Sequence, residues 1–163
     1  KLEHVSGHHI AHMPDDRLLA ELSDYLAATG APALTATQID RLRPALGAIK
    51  AKARTLPAVL EQGHFALVSR PVQPDEKAAT ALDAVSRGIL AELTAALQNA
   101  SWERDALETA VREVGERHGL GLGRMAAPLR AALAGRSSTP SVFDMMLALG
   151  RDESLARIRD QAG

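Results

Sequence analysis

The feature that most constrains the fold of this chain is a run of apolar residues, three or four positions apart, within residues 75–100. Its members are Ala79, Leu82, Val85, Ile89, Leu93 and Leu97. Side chains at these intervals lie on one face of an α-helix. The run therefore predicts one continuous helix over residues 75–100 whose apolar face points into the core.

The rest of the sequence also favours helices. Aromatic residues make up only 2% of the chain, whereas strands favour aromatic and β-branched side chains, and alanine and leucine favour helices. We therefore expect an all-α protein. Further helices are predicted over residues 14–29, 102–118, 124–134 and 142–149. Another is predicted from Thr35 or Thr37 to Arg54, with a kink or restart at Pro44. Two more are predicted to begin after Thr55 and at Asp152.

Local residues predict where several helices begin and end. Thr35 and Gln38 have the spacing of a capping box. Thr139 is expected to cap a helix whose first position is Pro140, because proline lacks the amide that would be unpaired there. Gly150 is expected to end the same helix in a left-handed conformation.

The segment 69–74 is the best candidate for a linker, since its two prolines disfavour a helix on either side. We expect two small helical subdomains, residues 13–72 and residues 73–163. Residues 1–12 are interpreted as the end of a preceding segment. The chain begins at Lys1 inside a continuing pattern, so we expect it to be an excised piece of a longer protein.

Composition excludes several classes of protein. The chain has no cysteine, so neither a disulfide framework nor a thiolate metal site is available. No apolar run approaches the roughly 18 to 20 residues that span a bilayer, and we expect no signal peptide. We therefore expect a soluble protein of the cytoplasm.

Charge is unevenly distributed, although the net charge is only −1. Two stretches without acidic residues, 41–60 and 117–139, carry Arg41, Arg43, Lys50, Lys52 and Arg54, and Arg117, Arg124, Arg130 and Arg136. Each stretch can be a solvated helix face, or it can contact a phosphate backbone.

No constellation predicts catalysis. His4, His8 and His12 are four residues apart, as metal ligands on a helix can be, but Gly7 weakens that helix and only Glu3 could add a ligand. We expect no metal site. His4–His8 also resembles the nucleotide-binding H-x-G-H signature with one residue too many, and the glycines at 119, 121 and 123 follow no strand. The chain should not catalyse a reaction alone.

Three motifs resemble one family. Residues 125–135 read M-A-A-P-L-R-A-A-L-A-G, S-S-T-P-S-V-F follows, and L-A-L-G-R-D-E-S-L-A-R-I comes near the end. Together they resemble the C-terminal end of bacterial glutamyl-tRNA synthetases, and residues 51–56 are similar to the family's E-R-A-K-T-L. Lys1, Leu2 and Ile10 match the family's entry into its tRNA-binding half. The resemblance extends over nearly the whole chain and implies a helical cage that binds the anticodon.

The resemblance also implies roles for particular residues. Arg130, Thr139 and Val142 would surround the first anticodon base, and Lys52 would monitor the third, with Arg54 as the alternative. Arg130 lies in an apolar helix, so packing can hold its guanidinium as a bidentate donor, whereas Lys52 is a point donor. The tRNA backbone contacts are expected from Arg41, Arg43, Lys50, Arg124 and Arg136.

The complete enzyme would join glutamate to tRNA with ATP and magnesium, whereas this chain lacks the catalytic half and should need no cofactor. The expected partner is tRNA-Glu, and the expected state is a monomer. Three alternatives are left open: a duplicated synthetase that acts on tRNA-Gln, a helical protein-interaction module without an RNA role, and a histidine-based metal enzyme. Binding that weakens with salt would distinguish RNA recognition from an apolar protein contact.

Overall fold

The computed structural model describes residues 7–163, with side chains from His9 onward. The matches at Lys1 and Leu2 and the histidine pattern that begins at His4 therefore lie outside the described residues. Every regular element over residues 7–163 is a helix, so the all-α prediction is confirmed. None of these helices combines the length and the apolar character needed to cross a membrane.

The helices follow one another with short connections, and a 3-10 turn, Arg43–Ala45, lies between α3 and α4. They are α1 Gly7–His12, α2 Asp15–Ala28, α3 Ala36–Leu42, α4 Leu46–Lys52, α5 Leu56–Gln62, α6 His64–Leu67, α7 Glu76–Ala79, α8 Ala84–Gln98, α9 Arg104–Arg117, α10 Leu122–Ala134, α11 Val142–Leu149 and α12 Arg151–Gln161.

The helix starts predicted at two threonines are confirmed. The Thr35 hydroxyl accepts a hydrogen bond from the Gln38 amide at 3.1 Å, and the Gln38 side chain accepts one from the Thr35 amide at 2.8 Å, which completes the capping box. The Thr55 hydroxyl caps α5 by accepting a hydrogen bond from the Ala58 amide at 3.2 Å, with Pro57 in the first turn. Pro44 produces the predicted restart, since the chain forms the 3-10 turn there before α4 begins.

The continuous helix predicted over residues 75–100 is wrong. Asp75 caps α7 and Asp83 caps α8, each carboxylate accepting a backbone amide at 2.8 Å, from Ala78 and Ser86 respectively. The segment between these helices interrupts the apolar face, and Val85 is 72% exposed. A side-chain cap eight residues after the first one thus starts a new helix, and apolar spacing alone did not reveal it.

The observed exposure of Val85 predicts a small effect of substitution. Val85→Ala should change the free energy of unfolding by less than about 0.5 kcal/mol, because the side chain contributes little to the core. Urea denaturation followed by circular dichroism would measure it. A loss of about 1 kcal/mol or more would instead support the continuous apolar face that the sequence predicted.

The helix predicted over residues 142–149 is confirmed, but the cap predicted for it at Thr139 is wrong. Ser141 caps the helix, its hydroxyl accepting the Phe143 amide at 3.1 Å, so the helix begins at Val142. The Thr139 hydroxyl instead donates to the carbonyl of Pro140 at 2.7 Å. Serine at 141 competes successfully for the cap, and Thr139 and Pro140 remain in the preceding loop. At the other end, α11 ends at Gly150 as predicted, with a positive φ of 84°, but the ψ of 168° differs from that of the predicted left-handed helical stop.

One hydrophobic core extends across the predicted linker. Its members include Leu46, Ile49 and Phe65 from before the linker and Leu129, Met145, Met146 and Ile158 from after it. Helix α11 packs against α3 and the 3-10 turn, and α10 packs against α6. The division into residues 13–72 and 73–163 stays a prediction, and the two parts share this core.

A buried arginine joins elements from both sides of the linker. The side chain of Arg157 on α12 is fully buried and donates to the carbonyls of Phe65 and Leu133 at 2.7 Å and of Val68 at 3.0 Å. Its Nε also donates to Glu153 at 2.8 Å. Burial lowers the pKa of this guanidinium, and the hydrogen bond to Glu153 opposes that shift. The side chain stays protonated all the same, because arginine does not lose its proton inside proteins.

Gly135 forms a second junction. It ends α10 with φ 68°, in the left-handed region, and its carbonyl accepts the amide of Asp75 at 2.9 Å. A Cβ at this position would lie 2.7 Å from the carbonyl oxygen of Gln73. The end of α10 and the segment before α7 therefore approach each other as closely as a residue without a side chain allows.

Candidate nucleic-acid interface

The loop 136–141 connects α10 to α11 and contains two residues that the sequence predicts to contact tRNA, Arg136 and Thr139. Gly135 ends the helix before it and Ser141 caps the helix after it, so both ends of the loop are set by local hydrogen bonds. Ser137 and Ser138 are exposed, whereas Thr139 is only 8% exposed. The loop thus presents two hydroxyl groups to solvent above a buried threonine.

The C-terminal residues of α4 and α5 contact this loop. Lys52 Nζ donates to the carbonyl of Thr139 at 3.4 Å, and Gln62 Nε2 donates to Ser138 Oγ at 3.0 Å. Lys52 and Thr139 were predicted from separate motifs, 87 positions apart, and the fold brings them together. The two predicted base-reading regions are therefore neighbours in space.

Arg130 lies on α10, which packs against α11. Its side chain is half-buried, and in the described part of the chain it makes no hydrogen bond or ion pair. Such a guanidinium is held by packing on its methylene stem while its donor groups stay available. Arg130 can therefore offer two parallel hydrogen bonds to an acceptor pair such as a base edge or a phosphate.

Two of the residues that are predicted to contact the anticodon expose little of their side chains. Val142, the first residue of α11, is 4% exposed, and the Thr139 hydroxyl is engaged by the Pro140 carbonyl. Their contact with the first anticodon base stays a prediction. Arg54 lies just beyond α4 and is exposed, with no partner among the described side chains.

Most of the predicted backbone-binding residues are already paired with carboxylates. Arg41 lies 3.4 Å from Glu153, Arg43 2.7 Å from Asp16, Lys50 2.7 Å from Asp15, and Arg136 3.8 Å from Asp75. The bond to Asp16 raises the pKa of Arg43. To bind a phosphate, these side chains would have to exchange one anion for another. Arg124 is exposed, and no partner of it occurs among the residues described.

His64 on α6 lies among charged residues of the same region. Burial is the main cause of its lowered pKa, and the nearby positive charges of Arg136 and Arg157 lower it further, while Asp75 opposes them. The imidazole is therefore neutral at pH 7 and adds no positive charge to the interface.

A different surface is unsuited to RNA. Between α8 and α9 a groove is lined by Ala96 and Ala110 together with Glu113, Glu116 and Arg117, and Asp105 continues it. Carboxylates repel a phosphate backbone. No cluster of three possible metal ligands occurs among the side chains described.

Sequence reasoning missed Gln62 and Ser138. Their hydrogen bond joins residues 76 positions apart. Gln62 stands in no motif that indicates binding, and Ser138 lies in the S-S-T-P-S-V-F motif but was assigned no role there. Only the packing of α5 against the loop reveals the pair.

The chain is similar to one domain family and to part of several longer proteins that share one enzyme name. The model of the "Anticodon binding domain" family matches residues 17–162. The chain is 73% identical over 163 residues to a protein of Paracoccus denitrificans called glutamate–tRNA ligase 2, covering 100% of this chain and 35% of that protein. It is 61% identical over 160 residues to glutamate–tRNA ligase 1 of Dinoroseobacter shibae, covering 98% and 34%. The chain spans about a third of the length of these curated relatives.

Solved structures share the fold. A glutamate–tRNA ligase from Elizabethkingia meningosepticum, crystallised with its amino acid, superposes with a TM-score of 0.73 at 24% identity. The match covers 96% of this chain and 30% of that one. The enzyme from Elizabethkingia anophelis gives a TM-score of 0.67 over 95% of this chain and 30% of its own. The helical arrangement described above is therefore also found in these larger proteins.

Proposed function

The chain belongs to the anticodon-binding domain family, and from this premise we propose that it recognises the anticodon of tRNA-Glu as part of a glutamate–tRNA ligase. Its relatives carry that ligase name. The bases of an anticodon are single-stranded, so their edges are accessible to side-chain donors. Recognition of this kind needs fixed donors at helix ends, which α10 and the loop 136–141 supply.

The observation that carries the proposal is the guanidinium of Arg130 on α10, the helix that leads into the loop 136–141, which α4 and α5 contact. Arg41, Arg43, Lys50 and Arg136 already have carboxylate partners, whereas no partner of Arg130 occurs in the described part. An arginine fork can bond two acceptors on one base edge and so distinguish bases. We assign base reading to Arg130, and contact with the RNA backbone to Arg124 on the same helix.

The complete protein, on this proposal, uses ATP and magnesium to join glutamate to tRNA-Glu in the cytoplasm. The catalytic step would belong to the remaining two-thirds of the enzyme. This chain would act as a monomer and contribute the free energy of anticodon recognition. That free energy adds to contacts elsewhere on the same RNA.

Arg130→Ala should weaken binding of the matched anticodon stem-loop by roughly 1 to 3 kcal/mol and flatten the preference at its first base. The reason is the loss of a bidentate donor that distinguishes base edges. Fluorescence anisotropy with stem-loops of tRNA-Glu, tRNA-Gln and an unrelated tRNA, at two salt concentrations, would measure both effects.

Arg124→Ala is the matched control, since it removes an exposed arginine from the same helix. If Arg124 contacts only phosphate, its loss should weaken all stem-loops alike and reduce the salt slope by about one. Equal losses on every anticodon with Arg130→Ala would make Arg130 a phosphate contact as well. If the unmodified chain binds all stem-loops with equal affinity at both salt concentrations, the proposed function is rejected.

A further inference from the structure

The hydrogen bond between Gln62 and Ser138 places a side chain of α5 directly against the loop 136–141. Gln62 is the last residue of α5, and its Nε2 donates to Ser138 Oγ at 3.0 Å. Ser138 is adjacent in sequence to Thr139, whose carbonyl accepts from Lys52. Two side chains from the N-terminal half therefore bond to consecutive residues of the loop.

The other end of the Gln62 amide is unusual. Its Oε1 atom is buried, and it is a side-chain atom with no hydrogen-bond partner in the described part of the protein. Burying an acceptor without a donor costs free energy, which offsets part of what the bond from Nε2 contributes. A group of this kind in a folded protein calls for an explanation, and a functional role is one.

The bond also sets the direction in which the Ser138 hydroxyl acts. A serine hydroxyl has one donor hydrogen and two acceptor lone pairs. Gln62 occupies one lone pair, so the hydrogen of the exposed Ser138 hydroxyl points away from Gln62. It is thereby available to an acceptor outside the protein.

From this geometry we infer that Gln62 is a positioning residue for anticodon reading, which holds the loop 136–141 through Ser138 without itself touching a base. The inference rests on the proposed function. Gln62 fixes the Ser138 hydroxyl and the neighbouring Thr139, while Lys52 holds the Thr139 carbonyl. The loop is then rigid before RNA arrives, and less entropy is lost on binding.

The test is Gln62→Met, which keeps the length of the side chain and removes its hydrogen bonds. With the bond gone, affinity for the matched stem-loop should fall about fivefold, the usual effect of one neutral hydrogen bond. The preference at the first anticodon base should fall with it, while the salt slope stays unchanged because no phosphate contact is lost. Gln98→Met makes the same change at the last residue of α8, whose side chain accepts from Arg159, and should leave binding unaltered.

Ser138→Ala and the double variant distinguish positioning from direct contact. If Gln62 acts through Ser138, the double variant should bind the stem-loop as tightly as whichever single variant binds it more weakly. Additive losses would mean that Gln62 contacts the RNA itself and would overturn the inference.

A measurement without RNA separates this inference from the proposed function. Amide hydrogen exchange over residues 137–142 should be about fivefold faster in Gln62→Met than in the unmodified chain, with the core of α8 unchanged. Unchanged exchange in the loop would overturn the positioning role even if RNA binds. Failure of the unmodified chain to bind any stem-loop would reject the proposed function, while the exchange result would still decide the role of Gln62.

Discussion

Arg157→Met should lower the free energy of unfolding by about 3 to 5 kcal/mol, as expected when one partner is removed from a buried charged network. The substitution keeps most of the apolar volume but leaves the carbonyls of Phe65, Leu133 and Val68 without their donor. Each buried acceptor without a donor costs about 1 to 3 kcal/mol. These carbonyls belong to α6, to α10 and to Val68, the residue just before the linker, so the loss should affect the whole fold and not one helix.

Urea denaturation at constant pH would measure the change, provided that the dependence of the free energy on urea stays the same for both proteins. Arg159→Met is the matched control, because it removes an exposed arginine two residues further along α12 and should cost less than about 0.5 kcal/mol. Equal stabilities of the two variants would show that water replaces the Arg157 donors and that the buried network does not hold the fold together.

Gly135→Ala should cost about 3 kcal/mol for two separate reasons. The left-handed backbone at φ 68° disfavours any residue with a Cβ by about 1 to 2 kcal/mol. The new Cβ would also lie 2.7 Å from the Gln73 carbonyl oxygen and 3.0 Å from Val72, and such overpacking costs about 1 to 3 kcal/mol. Because Gly135 directly precedes the loop 136–141, stem-loop binding should weaken as well.

Gly119→Ala separates the two reasons. Gly119 has nearly the same backbone, φ 69°, but no atom lies within 4 Å of the position its Cβ would take. Thermal or urea unfolding of this variant should therefore show the backbone cost alone. If both substitutions cost the same, the close approach of α10 to the linker does not contribute, and the predicted effect of Gly135→Ala on RNA binding would lose its basis.

Sequence patterns predicted the features of the fold that depend on neighbouring residues. The capping box at Thr35 and Gln38 and the cap at Thr55 involve residues three positions apart, so their spacing is visible in the sequence. The end of α11 at Gly150 is equally local. The resemblance to glutamyl-tRNA synthetases is confirmed by the family match over residues 17–162 and by the relatives named as glutamate–tRNA ligases.

The predictions that were wrong concern segments whose sequence is compatible with more than one local structure. Apolar spacing over residues 75–100 is compatible with one helix or two, and the cap at Asp83 decides for two. Thr139 and Ser141 are both good caps, and Ser141 takes the position. In each case the sequence contained the competing residue, but only the fold shows which one forms the bond.

The candidate site was predictable in its residue types and not in its contacts. Arg130 stands out as a cation between apolar residues of one helix, whereas the ion pairs of Arg41, Arg43 and Lys50 depend on helices that are distant in sequence. The Gln62–Ser138 bond is of the same kind. Pairings between distant elements are set by packing, which no local pattern encodes.

Gly150 is the single residue between two helices, since α11 ends just before it and α12 begins just after it. A connection of one residue leaves α11 little room to move independently of α12. Helix α12 is in turn held by the bonds of Arg157 to three carbonyls. On the proposed function, we therefore expect the loop 136–141 to keep nearly the same conformation with and without RNA, so that most of the conformational change on binding occurs in the RNA.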